Sequence, residues 1–260
     1  MPRFPGLHEL RASELATRVT ASTVIVQPIS AVEQHGPHLP LATDLIIAAE
    51  AADAFAAEHG EALGCLVLPP LAYGTSSEHE WCPGTVSLRA TTLLAVLQDL
   101  GRSLGRLASR KLVLLNGHGG NTPLLQVACR EIRVATGLET FLVHPSLPVD
   151  AGGSGDAREH GLGIHAGLHE TSLMLHLRPE LVDMEAAAAC LPEALATNLY
   201  VRFDGPVAFG WTSRDFGPTG IIGDPRGATP ELGKELFDAI VTDLAAALAE
   251  IREFSFTSMP

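Results

Sequence analysis

The sequence predicts a single-domain three-layer α/β/α fold with a mostly parallel central sheet. Three observations carry that prediction. Short β-branched runs alternate with longer Ala/Leu-rich stretches along the chain, the pattern of strand and crossover helix. The strand candidates are continuous apolar runs, as expected of strands covered on both faces. The 260 residues, 46% apolar and 18% charged, supply one large core and exclude a disordered or collagen-like polypeptide.

Taken in order, Ser22 to Ile29 (STVIVQPI) reads as a buried strand and Asp44 to Glu58 as a helix. Leu66 to Leu68 is a second strand and Thr91 to Ala108 a second helix. Lys111 to Asn116 (KLVLLN) is a third strand, and the helix after it opens at Thr122 and Pro123, a capping residue followed by proline at the first helical position. Glu139 to Val143 is a fourth strand; Ala166 to Leu177 and Glu231 to Arg252 read as helices, and Ala186 to Ala189 as helical filler. The Gly-rich stretch from Pro148 to Gly163 is followed by too little chain for a second domain, so it reads as a mobile loop near the site, and residues 1–260 as one domain.

With 17 basic against 30 acidic residues the net charge is −13, which repels phosphate backbones and anionic lipid and argues against nucleic-acid or membrane-surface partners. Divalent cations suit such a chain better. No apolar run approaches the ~20 residues that span a bilayer, and the N-terminal stretch has no apolar signal-like segment, so the expected location is the cytoplasm. Cys65, Cys82, Cys129 and Cys190 are too scattered for a zinc knuckle or redox motif and read as reduced thiols.

Metal-capable side chains gather directly after strands, where open parallel sheets place their ligand crevice. The first group runs from Glu33 through His35 and His38 to Asp44. Glu33 and His35, two residues apart, leave an extended segment on the same side, and Asp44 begins a helix where a carboxylate can bridge two cations while its other contacts satisfy the helix N-terminus. The second is Asn116-Gly117-His118-Gly119-Gly120-Asn121, whose glycines let the backbone turn and bring one imidazole close to an ion. A phosphate cradle is the alternative for this loop, but no Lys-Ser/Thr follows it. The third is His165-Ala166-Gly167-Leu168-His169-Glu170-Thr171-Ser172, in which His165 and His169 at i, i+4 would share a helix face. Glu33, His35, Asp44, His118 and Glu170 form a donor set for two ions such as Zn²⁺, Mn²⁺ or Fe²⁺; such a pair shares a hydroxide of pKa near ~7 and polarises a carbonyl. The expected chemistry is hydrolysis.

At these residues the sequence resembles the creatininase family of metal-dependent amidohydrolases, through its E-x-H-G-x-H-L-P-x-x-x-D segment, N-G-H-x-x-N loop and H-x-G-x-x-E-T-S helix. Pro83-Gly84-Thr85 and Gly220-Ile221-Ile222-Gly223-Asp224-Pro225 also look like that family. The resemblance implies that Glu33, Asp44 and His118 bind one metal, that His35 and Asp44 bind the other, and that His165 transfers a proton. It also implies a homo-oligomer, up to a hexamer. Creatininase itself has a metal-binding glutamate two residues after the loop histidine, where this chain has Gly120; Glu170 or water is expected to replace it, so Glu170 joins His165 among the catalytic residues. The N-G-H-G-G-N form looks like the formamidopyrimidine deformylase and mycofactocin peptide-processing branches. The expected substrate is therefore a small amide: cyclic, formamide or related, with a C–N bond other than an ordinary peptide bond.

The loop Tyr73 to Pro83 is the expected substrate wall, with Glu78, His79 and Trp81 meeting polar and flat groups and Gly119 and Gly120 completing the surface. Trp211, Arg214 and Asp215 are expected to close the pocket, and His38 to support a ligand, whereas His8, His59, His144, His160 and His176 read as surface or core residues. The rival reading is a non-catalytic α/β sensor holding a nucleotide or sugar on the glycine loop.

Overall fold

Six consecutive buried residues, Val24–Ile29, form β1 near the middle of a four-stranded sheet in the computed structural model, which describes residues 6–145, 159, 161–203 and 205–256. The other strands are β2 (Cys65–Val67), β3 (Lys111–Asn116) and β4 (Glu139–Val143), in the order β2-β1-β3-β4 with every pairing parallel. Parallel neighbours require crossovers, and here they are α1 (Thr43–Glu58), α2 (Ala90–Leu104) and α3 (Thr122–Thr136). Two later helices, α4 (Leu168–Leu177) and α5 (Pro230–Glu253), complete the main elements.

The side-chain alternation of the strands separates two cores. Val24, Val26, Val113 and Leu115 point toward α1 and α5, against Phe55, Leu244 and Leu248. Ile25, Ile29, Leu112 and Leu114 point the other way, onto Leu93 and Leu97 of α2 and Leu125 and Ile132 of α3. The result is the expected three-layer α/β/α arrangement, each fully buried Leu, Ile, Val or Phe contributing roughly 1.5–3 kcal/mol through its burial. α4 lies beside α5, where Gly233 permits backbone contact: a Cβ there would overlap the Ser172 carbonyl.

Register decides where the chemistry sits. Ile29 pairs with Asn116, so β1 and β3 end level, and the segments carrying Glu33 and His118 emerge side by side. The Gly117 amide donates to the Ile29 carbonyl at 2.8 Å and continues that alignment past the sheet.

Several boundaries differ from expectation for local reasons. β1 begins at Val24 because Thr20 to Thr23 form a turn, and α2 stops at Leu104 ahead of Gly105 rather than reaching Ala108. Ala186 to Ala189 is not helical: a 3-10 turn capped by Asp183 ends at Ala186, and the chain then runs extended to a bridge at Cys190. Local alanine propensity is a weak preference that tertiary pairing overrides. Most of the loop expected between Pro148 and Gly163, and His160, lie outside the described residues. Among the described residues, no helix is long and apolar enough to cross a membrane.

Candidate metal centre

Glu33, His35, Asp44 and His118 converge beyond the C-terminal ends of β1 and β3, all buried. Their donor atoms are closely spaced: His35 Nε2 lies 3.0 Å from Asp44 Oδ1, His118 Nδ1 lies 3.1 Å from Asp44 Oδ2, and His118 Nε2 lies 3.2 Å from Glu33 Oε2. Asp44 thus faces one imidazole with each oxygen. It sits in the first turn of α1, where the helix dipole favours negative charge, but its carboxylate turns to the histidines and does not satisfy the helix N-terminus as the sequence suggested.

Glu33 comes inward because its segment is fastened on both sides. Its amide donates to the Leu41 carbonyl (2.9 Å), the Val86 amide to the Val32 carbonyl (2.8 Å) and the Gln34 amide to Thr85 Oγ1 (3.1 Å). The Pro83-Gly84-Thr85 turn therefore acts as a brace. His35 Nδ1 lies 3.2 Å from the Glu33 carbonyl; donation there leaves Nε2 as the ring atom offered to the cluster. The His118 loop is locked by Asn116, whose amide donates to the His118 carbonyl (2.7 Å), and by Asn121, which donates to Asn116 Oδ1 (3.2 Å) and to the Ser30 carbonyl (3.3 Å).

None of the loop glycines adopts a left-handed backbone, so conformational freedom is not why they are there. Gly117 is needed for space instead: a Cβ on it would lie 2.5 Å from the Cβ of Ala48 on α1. Gly119 and Gly120 are exposed above the cluster.

His165 lies outside α4 altogether. It forms a bridge with Ile222, and Ala166, at φ 54° in the left-handed region, turns the chain into the helix at Leu168. His165 and His169 therefore share no helix face. The turn costs on the order of 1–2 kcal/mol for a residue with a Cβ, and it aims His165 at the cluster, with Nδ1 3.7 Å from Glu33 Oε1. His165 Nε2 donates to the Gln34 carbonyl at 2.7 Å, so Nδ1 is the free ring nitrogen on the cluster side. Glu170, on the first turn of α4, reaches back to accept from the Ala166 amide, and its Oε2 stands 4.0 Å from His35 Nε2.

His79 was expected on a substrate wall but lies inside, 2% exposed, with its ring stacked on His165 at 4.1 Å and Nε2 3.4 Å from Glu33 Oε1. It is placed by Gln34, whose amide nitrogen lies 2.6 Å from His79 Nδ1, and by Ser213, 2.9 Å from the same atom. The Trp81 indole N–H is used by Ser213 (2.8 Å), tying the wall loop to the later segment. Glu78 Oε1 lies 3.4 Å from His118 Nε2. Trp211 packs edge-on to Phe203, Arg214 lies 5.9 Å over the Trp81 ring, and Asp215 is used locally by Thr212. His38 is buried and bonds the Thr171 hydroxyl (3.0 Å), holding α4 rather than a cluster residue.

Sequence reasoning passed over Gln34, Thr75, Asn116, Asn121 and Ser213 as actors. Gln34, Asn116 and Asn121 lie within the motifs and Thr75 within the wall loop, but Ser213 belongs to neither, and the partners of Gln34, Thr75 and Ser213 are distant in the chain.

Burial pushes the Glu33 carboxyl up to about 8. Burial opposes charge on His35 as well, but Asp44 outweighs it and raises the imidazole to about 10; His118 is likewise raised against burial, by Glu33 and Asp44. Asp44 is held below its ordinary value by the two imidazoles despite its burial. Burial, then the charge of His35, pushes His165 well below its ordinary value, and burial lowers His79 to about 4. Without a cation the cluster thus keeps Glu33 and His165 neutral, Asp44 ionised and His35 and His118 protonated.

Both oxygens of Glu33 and Asp44 Oδ2 are buried without a hydrogen-bond partner among the described residues. Buried polar atoms are normally paired, so three convergent orphans next to imidazole nitrogens are what a cation site presents. Glu33, His35 and Asp44, like His35, His165 and Glu170, and Glu33, His79 and His165, each bring three donor atoms within 4.8 Å of one another. The donors present fit borderline-hard divalent ions.

The creatininase family model, described as creatinine amidohydrolase, matches residues 8–248. The chain belongs to the creatininase family. It is 38% identical over 252 residues to a mycofactocin precursor peptide peptidase of Mycobacterium ulcerans (strain Agy99), covering 95% of this chain and 93% of that one. To a creatinine amidohydrolase of Pseudomonas putida it is 31% identical, covering 93% and 95%. A solved creatininase superposes with a TM-score of 0.74 at 27% identity, over 98% of this chain and 100% of the other. Similar creatininase structures include a manganese form and a variant of Zn–Zn type. This chain is accordingly a creatininase-family amidohydrolase acting on C–N bonds; the sensor reading finds no support.

Proposed function

We propose that this chain hydrolyses an amide C–N bond with two divalent cations, Zn²⁺, Mn²⁺ or Fe²⁺, held by Glu33, His35, Asp44, His118 and Glu170. The observation that carries the reading is the set of buried, unpaired carboxylate oxygens facing imidazole nitrogens: Asp44 Oδ2 at 3.1 Å, Glu33 Oε2 at 3.2 Å and Glu33 Oε1 at 3.4 Å. Asp44 serves both sides, one oxygen to His35 and one to His118. When bound, two such ions polarise a carbonyl and acidify a shared water toward a pKa of ~7.

His165 manages the proton. Its Nε2–H is committed to the Gln34 carbonyl, so Nδ1 is the atom that takes a proton and passes it to the departing nitrogen. Amide nitrogen leaves poorly until protonated, and such general-acid help is worth ~10²- to 10⁴-fold. The exposed Gly119 and Gly120 backbone, with Trp81 at the rim, forms the face over which a substrate enters.

The likeness to mycofactocin precursor peptide peptidase exceeds that to creatinine amidohydrolase, and Gly120 replaces the creatininase glutamate. Both favour a peptide-borne amide over creatinine, in place of the non-peptide bond expected from sequence. Self-association belongs to the same proposal: Leu199, 74% exposed, and Tyr200, 61% exposed, offer apolar surface for it.

The test loads the protein with Zn²⁺ or Mn²⁺, measures metal per chain by elemental analysis, and screens short peptides, formamides and lactams by mass spectrometry, with light scattering for the assembly. Two equivalents and a cleaved peptide amide are expected. Turnover of lactams alone would transfer the substrate class, and a protein that binds no metal would end the reading.

A further inference from the structure

We infer that Glu159 is a positioning residue for His165: its carboxylate fastens the turn that follows His165 to the segment that follows Ile222, and so holds the imidazole toward the cluster. The inference rests on the proton-transferring role proposed for His165 above. No motif in the sequence singles out Glu159, which falls in the Gly-rich stretch read as a loop.

His165 sits at a place that needs restraint from two sides. On one side is the bridge: the Ile164 and His165 amides donate to the Ile222 carbonyl (2.8 and 3.1 Å), and the Ile222 amide donates to the His165 carbonyl (2.9 Å). On the other side is Ala166, in the left-handed region at φ 54°. A residue with a Cβ keeps that conformation only where its surroundings over-determine it.

Glu159 supplies the second restraint. It is 1% exposed, and its Oε1 accepts from the Asp224 amide (2.5 Å) and from the Leu168 amide (3.4 Å). Asp224 lies two residues past Ile222, and Leu168 three residues past His165, so one oxygen ties together the two chains that the bridge pairs. Leu168 opens α4, where an amide has no partner within the helix and negative charge is favoured. The Glu159 carbonyl in turn accepts from the Leu162 amide (2.7 Å), which anchors the clamp to the run leading into His165.

Space is reserved for this carboxylate. A Cβ on Gly163 would collide with Glu159, whose carboxyl atoms are its three nearest neighbours. One on Gly167 would lie 2.7 Å from Glu159 Oε1, and one on Gly223 would lie 2.8 Å from the same oxygen and 2.6 Å from the Gly167 Cα. None of these glycines is left-handed, so room and not backbone freedom is what they provide. An apolar side chain could fill the cradle, but it would take this acceptor away from the Asp224 and Leu168 amides, and lost pairing of buried groups is costly.

The test compares full-length, Zn²⁺-saturated wild type with Glu159→Ala, Glu159→Gln, Gly163→Ala and the double variant Glu159→Ala/Gly163→Ala. Hydrogen exchange by mass spectrometry follows the peptides spanning residues 162–170 and 220–226. Alongside it, kcat and KM are measured for the short peptide that wild type cleaves fastest in the screen above, and Zn²⁺ per chain by elemental analysis. Glu159→Ala is expected to speed exchange in both peptides and to lower kcat about 10- to 100-fold, with KM and Zn²⁺ content unchanged, because the proton-transferring group is misplaced while the ions stay. Glu159→Gln, which keeps the shape and an accepting oxygen, should recover most of that loss. Gly163→Ala should reproduce it by displacing the carboxylate, and the double variant should be no worse than Glu159→Ala, since both changes act through one group. Gly163→Ala decides the matter if Glu159→Ala fails to fold.

Wild-type exchange and kcat in Glu159→Ala or Gly163→Ala would overturn the clamp, as would additive losses in the double variant or a Glu159→Gln as impaired as Glu159→Ala. Loss of Zn²⁺ in step with kcat would also overturn it, by moving the effect from His165 to the metal ligands. A wild-type protein that cleaves no amide in the screen would instead overturn the hydrolytic reading, and the exchange data would still decide whether Glu159 holds the turn.

Discussion

The two ends of β3 bury charge in opposite ways. At the N-terminal end the Lys111 ammonium donates to the carbonyls of Ile251 (2.7 Å), Arg252 and Phe254 (2.6 Å), with Glu139 at 3.9 Å. Its three hydrogens meet carbonyls at the end of α5, where the helix dipole is negative, so the charge is fully satisfied and its task is to close the fold. At the C-terminal end, Glu33 and Asp44 are just as buried, yet three of their oxygens have no hydrogen-bond partner among the described residues. The difference separates a structural charge from a functional one: both are buried, and only the second is left reaching for something.

That contrast can be broken most severely at Asp44. Asp44→Ala should empty both metal positions and reduce amide hydrolysis to background; full metal occupancy by elemental analysis would refute the shared-ligand arrangement. His165→Ala should slow turnover by ~10²- to 10⁴-fold while metal content stays near wild type. Equal loss of metal would make His165 a ligand.

At the opposite end of the strand the outcome should invert. Lys111→Met leaves the α5 carbonyls unpaired and should cost about 2–4 kcal/mol in chemical denaturation, without changing metal content or the turnover of the folded protein. A drop in metal affinity would mean that the two ends are coupled.

The smallest effect is in pH. In the metal-stripped protein Glu33 keeps its proton up to about 8 against an ordinary 4.5, so its folded state loses stability as pH rises through that interval. His35, raised from 6.5 to about 10, adds stability below 6.5 that is lost as pH climbs. Both act in the same direction between pH 6.5 and 8, while His38 and His79, lowered by burial to about 4, change stability only below 6.5. The thermal midpoint should therefore fall between pH 6.5 and 8, by roughly 2–4 °C for each 1 kcal/mol lost. Saturating Zn²⁺ should flatten that fall, and a midpoint that rises over this interval would contradict it.

Much of this protein was legible before any coordinates. β3 and β4 were readable to the residue because short apolar runs bounded by polar residues have one economical use, a strand in a sheet, fully buried in β3 and half-buried at the edge in β4. Glu33, His35, Asp44 and His118 were legible because each follows or opens an element at the carboxyl edge of a parallel sheet. Ala186 to Ala189 misled because alanine's preference for helix is worth only tenths of a kcal/mol per residue. His165 misled because the left-handed turn at Ala166 breaks a helix that its sequence would continue.

Order along the chain, then, determined the strands, the layers and the identity of the metal-capable residues, since these follow from local periodicity and from the ends of strands. Only the tertiary structure decided which side chains share a point in space. The pairing of Ile29 with Asn116 brings two distant loops level, the Thr75 and Asn121 seam seats Glu78 over Gly120, and Gln34 with Ser213 draws His79 inside. Those contacts join segments far apart in the sequence, and no periodicity within either segment encodes the distance between them.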